Sequence, residues 1–337
     1  MTKEEARALK KAAKEKIHVE FDRTDRWTRF RLKYLTFTFF KKVIWFVFRL
    51  VLLLGISYVI LYPFVAKIFG SFMSPEDLVD VEVKLIPKYP TLDIYKYVIS
   101  ENKYWEAFFN TFILSFGVAL LQTFICSVVG YGFAKFKFKG NKIMFLCVML
   151  SMIIPHKTLT LSYTMFFKNF TIWGIPLQAK DLNLLNTYWP FIILCLGGLY
   201  FKNGLYIFMM RQFYKGVPDE LEESAYIDGS GVFKTFLRII IPLSVPMMIT
   251  IFVFSFSWQW TDTFYSGLFF TTSGNYLMPN IIKVPVSLND PTFVASGLYN
   301  SCVTNTCGRL IILPLVIIYC FCQRYIIQGI ERSGIVG

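Results

Sequence analysis

Six long apolar runs constrain this chain more than any other feature. Val43–Phe64, Phe108–Phe133, Ile143–Phe166, Tyr188–Met210, Ile239–Phe264 and Leu310–Ile327 each suffice to cross a hydrocarbon core as helix, which takes about 20 residues. Inside lipid, backbone N–H and C=O groups must bond within a helix or a closed barrel. The alternating strand pattern of an outer-membrane barrel is missing. Charged residues make up 17% of the chain and hydrophobic ones 55%, against roughly 25% charged in soluble domains. Mean hydropathy is +0.50. The expected fold is an all-α polytopic membrane protein, with a transmembrane domain over residues 43–337 behind a basic extension over residues 1–42.

The net charge of +13 is distributed as a membrane protein distributes it, not as a nucleic-acid binder does. Residues 1–42 hold 13 Lys or Arg against 6 Asp or Glu, whereas Ser71–Glu106 holds 4 against 7. Lys135, Lys137, Lys139 and Lys142 then crowd the short loop after the second apolar run. This alternation predicts a cytosolic N-terminus, an external first loop and a cytosolic second loop. Six crossings return the C-terminus to the cytosol, in agreement with Arg324. No basic groove interleaved with aromatics is visible, so nucleic acid is not an expected partner. The first apolar run is long enough to span and has no small-residue cleavage site, so it reads as a retained helix. Residues 3–20 read as a cytosolic or interfacial helix, either regulatory or an anchor to anionic membrane lipid.

Chemistry-bearing residues are sparse. No Gly-x-x-x-x-Gly-Lys-Ser/Thr loop occurs, so the chain has no P-loop for ATP. Two histidines, His18 and His156, and no Cys-x-x-Cys pair leave a zinc site without support. Five of the seven cysteines fall inside apolar runs as small hydrophobes. Cys302 and Cys307 precede the last run on the expected external side, where a disulfide is open. Pro155 interrupts the third run and Pro242 and Pro246 begin the fifth, each removing a backbone donor. Asn169–Thr187, with Trp173, Gly174 and Pro176, reads as an external loop with a short surface helix. These features predict no catalytic residue, no metal and no cofactor in this chain.

Residues 218–246, PDELEESAYIDGSGVFKTFLRIIIPLSVP after the run ending at Val217, stand out as polar sequence between two apolar segments. Pro218 suits a first helical position, and Asp219, Glu220, Glu222 and Glu223 place carboxylates at the positive end of the helix. Asp228-Gly229 predicts a break. A second short helix from Val232 to Ile239 carries Phe233, Phe236, Leu237 and Ile240 at amphipathic spacing. Glu220, Glu223 and Ile227 share one face of the first helix, and Leu221, Ala225 and Asp228 another. Glu223 can accept a charge-assisted hydrogen bond, Ala225 and Gly229 leave room for close approach, and Tyr226 and Phe233 offer apolar contact.

This elbow resembles the EAA loop of bacterial carbohydrate ABC importer permeases of the maltose-transporter inner-membrane subunit type. Glu223, Ser224 and Ala225 fall on Glu-Ala-Ala, with Ser224 the departure, and Ile227-Asp228-Gly229-Ser230 and Ile241-Pro242-Leu243-Ser244-x-Pro246 follow in register. Tyr62-Pro63, Asn110-Thr111, Tyr131–Gly140, Leu185–Tyr188, Arg211–Phe213 and Gln323–Tyr325 with Gly329 are similar to further family positions. Glu331-Arg332-Ser333 departs from the usual tail. The likeness covers roughly residues 55–337. It implies a type I importer transmembrane domain of six spans whose cytosolic coupling helices dock onto a separate ATPase. Implied partners are a companion homologous permease, two ATPase subunits holding ATP and Mg, an external lipid-anchored solute-binding protein and an oligosaccharide. Glu220, Glu223, Ser224, Ala225, Tyr226, Asp228, Gly229 and Phe233 become the ATPase-coupling residues. A self-contained secondary transporter, or a membrane anchor recruiting a soluble partner, stands as the alternative.

Trp258, Gln259, Trp260, Thr261 and Asp262 form a polar–aromatic cluster at the outer half of the fifth run. Two readings fit. Aromatic faces, an amide and a carboxylate suit a sugar path through Trp258, Gln259, Trp260 and Asp262; an aromatic belt at the membrane interface explains the tryptophans equally. At 3.6 residues per turn the two tryptophans lie about 200° apart and cannot both face one cavity.

Overall fold

A computed structural model of the chain describes residues 37–171, 182–272 and 276–332, together with Asp25, Trp27 and Phe30. The helix expected over residues 3–20, the loop around Trp173, Gly174 and Pro176, and the tail from Ser333 lie outside the described residues. The chain divides into two units between Ile68 and Phe69. Helix α1, Phe37–Gly70, is continuous through Pro63. Its residues 41–65 are all exposed, as suits an apolar helix whose solvent is lipid.

In the second unit, α2 (Pro75–Val79) starts where Ser74 Oγ accepts the Asp77 N–H at 3.2 Å. Helix α3 (Asp93–Glu101) leads through Lys103, at φ +53°, into α4 (Tyr104–Lys135). Gly140, at φ +88°, turns the chain into α5 (Asn141–Ser151). Pro155 then breaks the path, and a 3-10 turn at His156–Leu159 precedes α6 (Thr160–Lys168). Helices α7 (Trp189–Leu196) and α8 (Asn203–Lys215) follow. The elbow comprises α9 (Glu220–Ile227), α10 (Val232–Thr235) and a π turn at Phe236–Ile240. It runs on into α11 (Ile241–Trp260), followed by the short α12 (Phe264–Phe269). Two 3-10 turns, Met278–Ile281 and Val286–Leu288, precede α13 (Ser296–Arg332).

Among the described residues, four helical stretches are long and apolar enough to cross a membrane: α1, α4, the run from Val232 through α11, and α13. The count is five if α5 and the segment His156–Lys168, bent by 90°, form one broken span. The third and fourth apolar runs of the sequence are thus not single helices. Pro155 lacks the N–H that would continue α5. In the fourth run Gly198 and Lys202, both at φ +67°, reverse the backbone between α7 and α8.

The core sits around α4, which packs against α8 and α11, while α11 also packs against α13. Close approach of α4 and α8 depends on Gly130, where an added Cβ would lie 2.6 Å from Met210 Cβ and 3.1 Å from the Arg211 backbone nitrogen. Around this point Cys126, Tyr131, Tyr214, Ile240, Met247 and Ile251 are buried together. At the opposite end of α4, Tyr104 and Ala107 pack with Trp260, Met278, Ile281 and Ile311. Packing gives membrane helices the cohesion that the hydrophobic effect gives soluble ones.

All seven cysteines are free. Cys302 and Cys307 do not precede the last helix but belong to α13. Five residues apart on one helix, they are separated by about 7.5 Å of rise, beyond the reach of a disulfide. Cys307 Sγ instead lies 3.7 Å from the Lys283 carbonyl oxygen.

Candidate functional site

The elbow is held by one lysine. Lys135, the last residue of α4, is buried, and its Nζ donates to the Val217 carbonyl at 2.6 Å and to Asp219 Oδ1 at 2.5 Å. Glu222 Oε1, also buried, lies 3.6 Å from the same ammonium. Two points on the α8–α9 connection and one in α9 are thereby fixed to the end of the central helix. The Lys135 hydrogen bond also holds the Asp219 carboxyl below the ordinary aspartate range. Above the clamp, the Tyr131 ring lies 4.8 Å from that of Phe236 in the π turn. Arg211, at the end of α8, stacks 3.9 Å over Phe145 of α5.

Helix α9 closes with a glycine turn. Gly229, at φ +76°, donates its N–H to the Tyr226 carbonyl at 3.0 Å, and Ser230 donates to Ala225 at 2.9 Å. This pair of bonds satisfies the carbonyls a helix end leaves open, and the left-handed residue in it is usually glycine. The turn reverses the chain into α10. There Thr235 and Phe236 face inward and Phe233 outward.

The two faces of α9 divide sharply. Glu222 and Ala225 are buried, while Glu220, Glu223, Ser224, Tyr226, Ile227 and Asp228 are exposed. Ala225 is thus buried against its own chain, on the side of α9 away from Glu223. Ile227 is 86% exposed and Phe233 68% exposed, so two apolar side chains flank a row of carboxylates. Among the described residues none of Glu220, Glu223 and Asp228 forms an ion pair with a basic group.

The expected solute cluster separates into different roles. Trp260 is fully buried and its indole N–H donates to the Ile311 carbonyl at 2.9 Å. Asp262 caps α12: Oδ1 accepts the N–H groups of Phe264 and Tyr265, and Oδ2 accepts the Ser266 N–H at 2.7 Å and its hydroxyl at 2.8 Å. Gln259 is buried and accepts the Tyr200 hydroxyl, while its amide Nε2 has no partner. Of the four residues expected on the sugar path, Trp258 is the exposed one, against Phe201.

A buried polar chain behind them escaped the sequence reading. Ser255 donates to Gln122 Oε1, and Gln122 Nε2 donates to the Phe201 carbonyl at 2.9 Å and to Asn203 Oδ1 at 2.5 Å. It ties α4, α11 and the α7–α8 break together. Between this break and the Pro155 break lies a cavity of about 190 Å³, lined by His156, Tyr163, Gly198, Phe201, Lys202 and Asn203 among others. Among the described residues no group of three or more His, Cys, Asp or Glu side chains could hold a metal ion.

Residues 126–332 match the family described as "Binding-protein-dependent transport system inner membrane component". The match takes in more than half of the chain, including the whole elbow. The chain belongs to this family. It is a permease component of an ABC importer in a bacterial membrane, a non-catalytic subunit. The permease is 28% identical over 292 residues to Protein LplC of Bacillus subtilis (strain 168), covering 84% of this chain and 92% of that protein. It is 25% identical over 304 residues to the galactooligosaccharides transport system permease protein GanQ of the same organism, covering 88% and 98%. Among solved structures, a bacterial ABC transporter involved in the import of the acidic polysaccharide alginate aligns with a TM-score of 0.64 at 23% identity, over 85% of this chain and 97% of that one. That likeness is one of fold.

Proposed function

We propose that this permease is one transmembrane half of an ATP-driven importer for an oligosaccharide, gripped by its ATPase through the elbow at residues 218–246. The exposed face of α9 and α10 carries this reading. Glu220, Glu223, Ile227 and Phe233 point away from the protein on an element that Lys135 fixes to the central helix. A surface of carboxylates and apolar side chains on a rigid mount suits a partner that pulls on it. Ser224, Tyr226, Asp228 and Gly229 complete the surface, and Glu223 would meet an ATPase Arg or Lys.

In this account α5–α6 and α7–α8 each serve as one broken span, giving six crossings with both termini cytosolic. Residues 1–42 form a cytosolic extension before the transmembrane domain at 43–337. A companion homologous permease completes the path, two ATPase subunits hold ATP and Mg, and an external lipid-anchored binding protein delivers the sugar. Relatives named for galactooligosaccharide, arabinooligosaccharide and maltodextrin transport support an oligosaccharide as cargo. Trp258 and Gln259 are the residues of the outer cluster best placed to meet it, with Trp260 and Asp262 supporting the wall. ATP binding closes the ATPase pair and moves both elbows. The nucleotide state thereby selects which side of the membrane the cavity faces.

The test is uptake into proteoliposomes containing the permease, its companion and the ATPases, with the binding protein added. Oligosaccharide should accumulate only with ATP and all partners present. Accumulation driven by an ion gradient without the ATPase would establish the secondary-transporter alternative instead.

A further inference from the structure

Lys202 is the one charged residue in the run Tyr188–Met210. A cation within such a run is expensive, and one that persists is by default a candidate for a functional site. It ends the break between α7 and α8 in the left-handed region, at φ +67°, a conformation that favours glycine. Its Nζ lies 4.9 Å from the Phe201 ring centre and 5.1 Å from that of Trp258. Among the described residues no carboxylate lies within ion-pairing distance of it. Asp262, which shares a small crevice with Phe201 and Trp258, spends both oxygens capping α12.

The surroundings supply donors and aromatic faces. Lys202 and Asn203 line the cavity between the two helix breaks, with Tyr163 and Phe201. Asn203 Nδ2 and, in the neighbouring crevice, Gln259 Nε2 are buried amide donors without partners. Buried donors of this kind ordinarily find an acceptor. The ammonium and the Asn203 amide beside it therefore await oxygen acceptors, and the charge of the ammonium favours a carboxylate. The rings of Trp258, Phe201 and Tyr163 offer flat apolar surface for the C–H face of a pyranose.

From this juxtaposition we infer that Lys202 receives a carboxylate of the transported sugar, so that the cargo is an acidic oligosaccharide containing uronic acid residues. The inference rests on the reading of the permease as an oligosaccharide importer and adds the class of sugar. The Nζ of Lys202 supplies the charge-assisted bond, the amides of Asn203 and Gln259 orient the remaining acceptors, and Trp258 covers the ring.

The experiment uses the reconstituted complex and compares initial ATP-dependent uptake of triuronates, of their methyl esters and of neutral maltotriose. The wild-type complex should favour acid over ester. Lys202→Gln should reduce the acid-to-ester ratio by about tenfold to a hundredfold, the usual worth of a charge-assisted hydrogen bond. Lys202→Arg should retain most of the preference, and co-purification of the ATPase monitors assembly in each variant. Equal loss of acid and ester uptake in Lys202→Gln would overturn the inference, since a lysine that serves packing or a lipid phosphate does not distinguish the two. ATP-dependent uptake of maltotriose with no uptake of triuronates would also overturn it while leaving the importer reading intact. No ATP-dependent uptake of any sugar would defeat both.

Discussion

Lys135→Ala is expected to free the elbow from the central helix while leaving the protein inserted in the membrane. The substitution removes the one cation that pairs with the buried Glu222 carboxylate among the described residues, along with both hydrogen bonds to the α8–α9 connection. Breaking a buried pair from one side typically costs about 3–5 kcal/mol, because the remaining charge stays desolvated. Little of that comes from Asp219, whose side chain is largely exposed. The variant should show rapid protease cleavage between Val217 and Glu222 and should retain less than a tenth of the ATPase on purification, given that 1.4 kcal/mol is about tenfold. Adding Glu222→Gln to Lys135→Ala should recover part of the loss, since an amide in that position leaves no lone buried charge. If the double variant were worse than the single, the pair would not act as described.

Leucine at position 130 should prevent the folded permease from accumulating at all. Gly130 lies where α4 and α8 touch, and an added Cβ meets the Met210 Cβ and backbone atoms at Met210 and Arg211. Backbone cannot rotate aside as the end of a side chain can. Overpacking usually costs about 1–3 kcal/mol and more where neither partner yields. Spreading α4 from α8 also pulls Tyr214 from the Ser127 hydroxyl, a contact of 2.6 Å across the same interface. Membrane-extracted Gly130→Leu should aggregate on size-exclusion chromatography where Gly132→Leu does not. Gly132, two residues on, has open space where its Cβ would be. Equal behaviour of the two variants would show that α4 and α8 are not held by this contact.

Hydropathy made the long helices legible, because length and apolarity are local properties. α1, α4 and α13 contain their expected runs and extend past each edge. Pro155 announced its break, since proline acts on its own backbone. The break at Gly197–Lys202 was not legible: glycine is common in membrane helices, and nothing local told Gly198 at φ +67° from an ordinary packing glycine. Lys202 was the available signal, a charge inside an apolar run. The elbow's first helix, its glycine turn and its exposed acids could be read from spacing and turn chemistry. The π turn at Phe236–Ile240 could not, because an amphipathic pattern does not distinguish helix types.

Side-chain roles divided along the same line. Asp262 lies just before α12, and an acid there is an N-cap signal; the sequence reading gave it to the sugar path instead. The split between an exposed Trp258 and a buried Trp260 follows from helical periodicity. Lys135 with Glu222, and Gln122 with Asn203 and Ser255, are pairings between distant segments. No single-sequence pattern encodes them.

If the elbow is the handle by which an ATPase moves this permease, the turn at Gly229 is where a single side chain should disable it. Its φ of +76° forbids a β-branched residue on conformational grounds, while open space around it removes any steric excuse. The measurement is the fraction of ATPase that co-purifies with the permease, followed by ATP-driven oligosaccharide uptake, in Gly229→Val and Gly229→Asn. Asparagine tolerates the left-handed region and should keep both near wild-type. Valine should lower both severalfold with membrane insertion unchanged. Full ATPase attachment and full uptake in Gly229→Val would contradict the account.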